Sequence, residues 1–134
     1  MDFVQYINTP VGKDVSNPLT TTLKLTRGRL TGGFLFFPSG PAGTLHFLAR
    51  IGIHQIIPFN TGQNLRLDDC VVPFSLGIDL LEPPFQVECF TWNDSILYPH
   101  SLTVCFSLEP KVKKKYNLKT LINDFAGTKG YHKP

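Results

Sequence analysis

The sequence predicts an all-β protein, an antiparallel β-sandwich, on three observations. Across residues 19–108 short apolar segments alternate with polar positions at period 2. Gly, Pro, Asn and Asp separate these segments at turn-length intervals. The 134 residues hold 11 Phe but a single Met, a composition suited to a rigid aromatic interior. A chain of this length buries roughly two thirds of the surface it exposes when unfolded, enough for one domain without disulfides. Roughly seven to nine strands are expected, and a jelly-roll order is one form such a sandwich takes.

Residues 1–18 carry two Pro, a Gly and two Asn around the short apolar patch Phe3, Val4, Tyr6 and Ile7. They are expected to form an N-terminal arm ahead of the body, with Phe3, Tyr6 and Ile7 anchored on a neighbouring subunit. From Leu19 the odd positions Leu19, Thr21, Leu23 and Leu25 alternate with Thr20, Thr22, Lys24 and Thr26, which is a strand with one wet face. Arg27 and Gly28 turn the chain. The next strand starts at Arg29 and closes on Phe34, Leu35, Phe36 and Phe37, so apolar side chains fall on both of its faces and one face needs cover.

Residues 38–43, with two Pro and two Gly, are a rigid loop. A strand returns with Leu45, Phe47, Ala49 and Ile51 inward and His46 and Arg50 on the opposite face. Residues 53–59 make a further apolar stretch, and residues 65–67 a short strand. Cys70, Val72, Phe74 and Leu76 share the inward face of a strand in which Pro73, lacking a ladder donor, signals an edge or a bulge. Pro83 and Pro84 restart the chain into residues 85–92, and Asn93 and Asp94 turn it. Residues 101–108 are the clearest strand, with Leu102, Val104, Phe106 and Leu108 inward. The sandwich is thus expected over residues 19–110.

Beyond Pro110 the character changes. Lys111, Lys113, Lys114 and Lys115 form a basic linker, and Asn117 is a suitable N-cap for a short helix with Leu118, Leu121, Ile122 and Phe125 on one face. Leu121, Ile122 and Phe125 are its expected docking side chains, and a polar tail completes residues 111–134. The linker supplies much of the net charge of +3, so a uniformly basic nucleic-acid-binding face is not supported and no nucleic acid is expected as a partner.

The start of the sequence has no basic segment leading into an apolar core, and nothing approaches the ~18 uninterrupted apolar residues of a membrane span. The expectation is therefore a protein made in the cytoplasm with no membrane partner. Three cysteines do not complete a disulfide framework, which suits a reducing compartment.

Chemistry is sparse. His46, His54 and His100, with Cys70, Cys89 or Cys105, lack metal-ligand spacing, so no metal or other cofactor is expected. Cys70 and Cys89 have inward parity, where a thiol is a small inert hydrophobe, and Cys105 sits on the wetter face. The Ser39, Gly40, Pro41, Ala42, Gly43 run resembles a phosphate cradle only superficially, because no Lys-Ser/Thr follows and a strand comes next. Asp68 and Asp69 read as solvated turn acids. The chain is therefore expected not to be an enzyme. Phe90, Trp92, Tyr98 and His100 surround the Asn93 turn and form the best candidate ligand patch, suited to a sugar ring. Phe34, Phe36 and Phe37 are the candidate interface side chains of the body.

Residues 25–33, the loop at 37–43, His54, Gln55, Ile56, Ile57, Pro58, Phe59 and Asn60, and Thr91, Trp92, Asn93 and Asp94 followed by Tyr98, Pro99 and His100 together resemble a family of small β-sandwich auxiliary virion proteins of tailed phages and related viruses. The resemblance spans about residues 18–110 and is carried by turn and core signatures. It implies a capsid or tail accessory protein that decorates or cements a shell, located in the virion. Its partners would be a major capsid or tail protein and other copies of itself, a trimer being the first expectation. The Lys-rich extension departs from that family's character. A carbohydrate-binding module centred on Trp92 and Tyr98 is the alternative.

Overall fold

The computed structural model describes residues 1–110, which form eight strands. These are β1 (Asp2–Thr9), β2 (Leu19–Lys24), β3 (Gly28–Phe37), β4 (Leu45–Ile51), β5 (His54–Ile57), β6 (Cys70–Leu80), β7 (Gln86–Asn93) and β8 (His100–Glu109). They build two four-stranded antiparallel sheets, β1-β8-β3-β6 and β2-β7-β4-β5, the first and second sheets below. Only β4 and β5 are consecutive strands paired within one sheet, and every other connection crosses from one sheet to the other. Among the described residues no helix is long and apolar enough to cross a membrane. The expected C-terminal helix, with Leu121, Ile122 and Phe125, lies outside the described residues.

Between the sheets lies a core in which Leu30, Leu35 and Phe37 of β3 meet Leu102, Val104, Phe106 and Leu108 of β8, opposite Leu45 and Phe47 of β4 and Val87 and Cys89 of β7. The inward alternation expected for β4, β6 and β8 is observed. Phe74 and Phe106 pack as a tilted pair with ring centroids 5.5 Å apart. Pro73 lies on β6, which pairs with β3 alone and is an edge of the first sheet, as its missing donor requires.

One irregularity decides which phenylalanines face water. The register of β3 against both β6 and β8 shifts between Leu30 and Gly32, a bulge that changes the parity of the strand. Leu30 points inward before it, and Leu35 and Phe37 point inward after it, leaving Phe34 and Phe36 outside. Gly33 makes the close approach feasible: φ is +149°, and a Cβ there would lie 1.8 Å from the Cys105 carbonyl oxygen. Phe37 is fully buried, so its expected role as an interface residue is corrected: it belongs to the protein's own core.

The expected N-terminal arm is also corrected. Residues 2–9 pair with β8 along their whole length, from Asp2 opposite Ser107 to Thr9 opposite His100, and the sandwich begins there. Ile7 is buried in the core and Phe3, half-buried, packs against it, so both contribute to the protein's own interior. The alternation was hidden because two of its inward positions, Gln5 and Thr9, are polar. Thr9 is nevertheless fully buried, its hydroxyl donating to Thr91 Oγ1 at 2.7 Å between the two sheets. The strand expected at residues 65–67 reduces to a single bridge between Leu65 and Phe47.

Candidate functional site

Four connections, residues 10–18, 38–44, 58–69 and 94–99, gather at one end of the sandwich, where side chains of the body hold them. His46 of β4 has outward parity, yet it is only 6% exposed because two of these connections close over it. Its Nδ1 lies 2.6 Å from Asn64 Oδ1 and its Nε2 2.6 Å from Asp94 Oδ2, so one imidazole joins residues 58–69 to residues 94–99. Trp92, beside it on β7, stacks on the ring with centroids 4.9 Å apart and planes 9° apart.

Asn93 is the second tie. Its backbone N–H donates to the Lys13 carbonyl, its Nδ2 donates to the Tyr98 and Thr9 carbonyls, and its Oδ1 accepts from the Ser95 N–H. The Asp94 N–H donates to the Thr44 carbonyl and brings in residues 38–44. Buried Gln55 donates to the carbonyls of Pro58 and Gln63, at 2.8 and 2.9 Å. Asp68 is no free turn acid: its Oδ1 accepts from the Gly40 and Ala42 N–H groups at 2.9 and 2.8 Å. The loop that resembles a phosphate cradle does hold an anion, and the anion is the protein's own carboxylate.

These ties hold apolar side chains in water. Phe59 is 83% exposed and Ile96 is 87% exposed, and Leu97 and Tyr98 also stand clear of the surface. They sit in the two connections that meet on His46. Sequence reasoning found Tyr98 here but missed Phe59, Ile96 and Leu97. The available signal was an apolar triplet between the Asn93 turn and Pro99 with no alternation around it.

The expected ligand patch does not assemble. Trp92 is 6% exposed and its ring is stacked on His46, which leaves no open face for a sugar. Phe90 lies farther along the outer face of the second sheet, under the Arg50 guanidinium at 4.9 Å. His100 starts β8 in the first sheet. Among the described residues there is no pocket, and no three His, Cys, Asp or Glu side chains group as metal ligands.

The second candidate surface is the outer face of the first sheet. Val4, Cys105, Phe34 and Pro73 are register partners in one row across its four strands, and Tyr6, Thr103, Phe36 and Val71 in the next. Val4, Tyr6, Phe34, Phe36 and Val71 are all exposed. Cys105 has the outward parity expected, but it is buried between Val4 and Phe34 instead of wet. Burial and the Asp2 carboxylate push its thiol up. Cys89, in the core, is pushed up to about 12 by burial alone. Both thiols are therefore held as neutral, weakly reactive groups.

No protein-family model matches the chain, and no curated protein is similar enough to count as a match.

Proposed function

We propose that this protein is a structural component of a virion, one that decorates or cements a capsid or tail lattice and associates with other copies of itself. The observation that carries the reading is the apolar end of the sandwich: Phe59, Ile96, Leu97 and Tyr98 exposed on connections that His46, Gln55 and Asn93 hold from beneath. Side chains ordered before binding lose little conformational entropy on docking, so a rigid apolar end favours protein-protein attachment. Large exposed apolar groups with polar surroundings mark interaction surfaces.

The strand order adds support. The sheet orders β1-β8-β3-β6 and β2-β7-β4-β5, with every connection but β4–β5 crossing between sheets, are consistent with a jelly-roll order, which occurs in viral capsid and lectin domains. That architecture hosts many functions, so the surface carries more weight than the fold. The likeness of its turn signatures to auxiliary virion proteins points the same way.

The test is solution mass by light scattering across a dilution series of the full chain and of an Ile96→Ser/Leu97→Ser double variant. An oligomer, a trimer first, that the variant reduces to a monomer supports the reading. A wild-type monomer with the same mass as the variant at every concentration overturns self-association through this end.

A further inference from the structure

We propose that the apolar outer face of the first sheet is the docking site of this chain's own C-terminal segment, residues 118–125. The outward face of an antiparallel sheet is ordinarily polar. Here the two central rows, Val4-Cys105-Phe34-Pro73 and Tyr6-Thr103-Phe36-Val71, are apolar except for Thr103. The rows on either side are polar: Asp2, Ser107 and Ser75 beyond one, Asn8 and Ser101 beyond the other. An apolar centre inside a polar rim has the anatomy of an interface. The bulge in β3 creates it, since it turns Phe34 and Phe36 outward.

The occupant follows from where the chain leaves the sheet. β8 itself runs through the middle of the face, and it ends at Glu109, four residues past Cys105 and six past Thr103. At ~3.4 Å per residue those rows lie about 14 and 20 Å behind the exit. Residues 111–117 span up to about 23 Å when extended, so the segment that follows reaches both rows without leaving its own subunit. Leu118, Leu121, Ile122 and Phe125 have the spacing of one helix face. Eight helical residues are about 12 Å long, close to the ~14 Å across four strands.

Charge matches along the same path. On this proposal the linker, with Lys111, Lys113, Lys114 and Lys115, would pass beside Glu109 and the row that holds Asp2, both exposed carboxylates. Tethering by a short linker sets a high local concentration of the segment at the face, which favours its own subunit over a second copy. The proposal concerns a different surface from the apolar loop end and stands or falls apart from the virion reading.

The experiment uses the full chain and two variants. Leu121→Ser/Ile122→Ser leaves every residue of strands β1–β8 unchanged. Phe34→Ser/Phe36→Ser alters only the exposed face. Two readouts are followed: the rate of tryptic cleavage at Lys119, and fluorescence of the dye 8-anilinonaphthalene-1-sulfonate, which reports exposed apolar surface. The expected result is cleavage about tenfold faster in both variants, with dye fluorescence raised in Leu121→Ser/Ile122→Ser and the wild-type values independent of protein concentration. Equal cleavage rates and dye signals in all three proteins would show the face uncovered and overturn the proposal. Wild-type protection that disappears on dilution, as the light-scattering mass falls from dimer to monomer, would assign the segment to a second copy and also overturn it.

Discussion

The two outer faces of the sandwich treat their aromatic side chains in opposite ways. On the second sheet Trp92 points outward and is nonetheless buried, because residues 58–69 and 94–99 fold over it and meet on its neighbour His46. Phe90, on the same face, lies under the Arg50 guanidinium. On the first sheet Phe34, Phe36, Tyr6 and Val71 also point outward, and among the described residues nothing covers them. The contrast shows that outward parity alone does not make an aromatic residue a binding residue. What decides is whether a loop of the same chain is long enough and polar enough to close over it and satisfy its own backbone there.

The sharpest way to break this comparison lies within β3. Phe37→Ala removes a fully buried ring and is expected to cost about 3–5 kcal/mol, whereas Phe36→Ala, one residue away on the outer face, should stay within about 1 kcal/mol. Urea unfolding of both variants measures this, and similar losses would mean that the outer face is as tightly packed as the core. Gly33→Ala follows, at about 2 kcal/mol or more, because its Cβ has no room beside the Cys105 carbonyl. Amide exchange on β3 and β8 should accelerate in that variant before any change reaches the second sheet.

A middle-sized effect is expected at the loop end. His46→Ala deletes the ring that touches Asn64, Asp94 and Trp92. It should lower stability by about 2–3 kcal/mol and raise Trp92 fluorescence quenching by acrylamide. A variant with unchanged quenching would show that the loops cover Trp92 without the histidine tie.

At neutral pH the smallest effect concerns the thiols. Cys70 is half-buried at a strand end, while Cys89 and Cys105 are buried, so a thiol reagent should modify Cys70 first in the native protein. The folded state holds the Cys89 proton up to about pH 12, whereas the unfolded thiol ionises near its ordinary value, ~8.5. The resulting stability is fully present below that ordinary value and is lost as pH rises from there toward 12. Cys89→Ala should flatten the alkaline part of the stability curve. An unchanged curve would mean that other groups dominate alkaline unfolding.

Much of the architecture was legible because period-2 alternation reports burial directly. Seven of the strands coincide with apolar runs bounded by turn residues, and Pro73 marked an edge through its missing N–H. β1 resembles an arm in sequence because Thr9, an inward residue, is polar and finds its partner 82 positions away in Thr91. The loop-end ties were illegible for the same reason. His46, Asn64 and Asp94 are unrelated in sequence, and Asp68 reaches back to Gly40 and Ala42 across an entire hairpin.

By itself the sequence determined the all-β class, the phenylalanine-rich interior and the place of nearly every turn, since these depend on local alternation and on the backbone preferences of Gly, Pro, Asn and Asp. The tertiary structure alone decided which outward aromatics are covered, which phenylalanines of β3 face the core, and that residues 2–9 belong to the sandwich. Each of these depends on what lies across the sheet or above it: a bulge matched to the Cys105 carbonyl, loops drawn together on one imidazole, and a hydroxyl pair between sheets. Such long-range pairings leave no periodic trace in the chain.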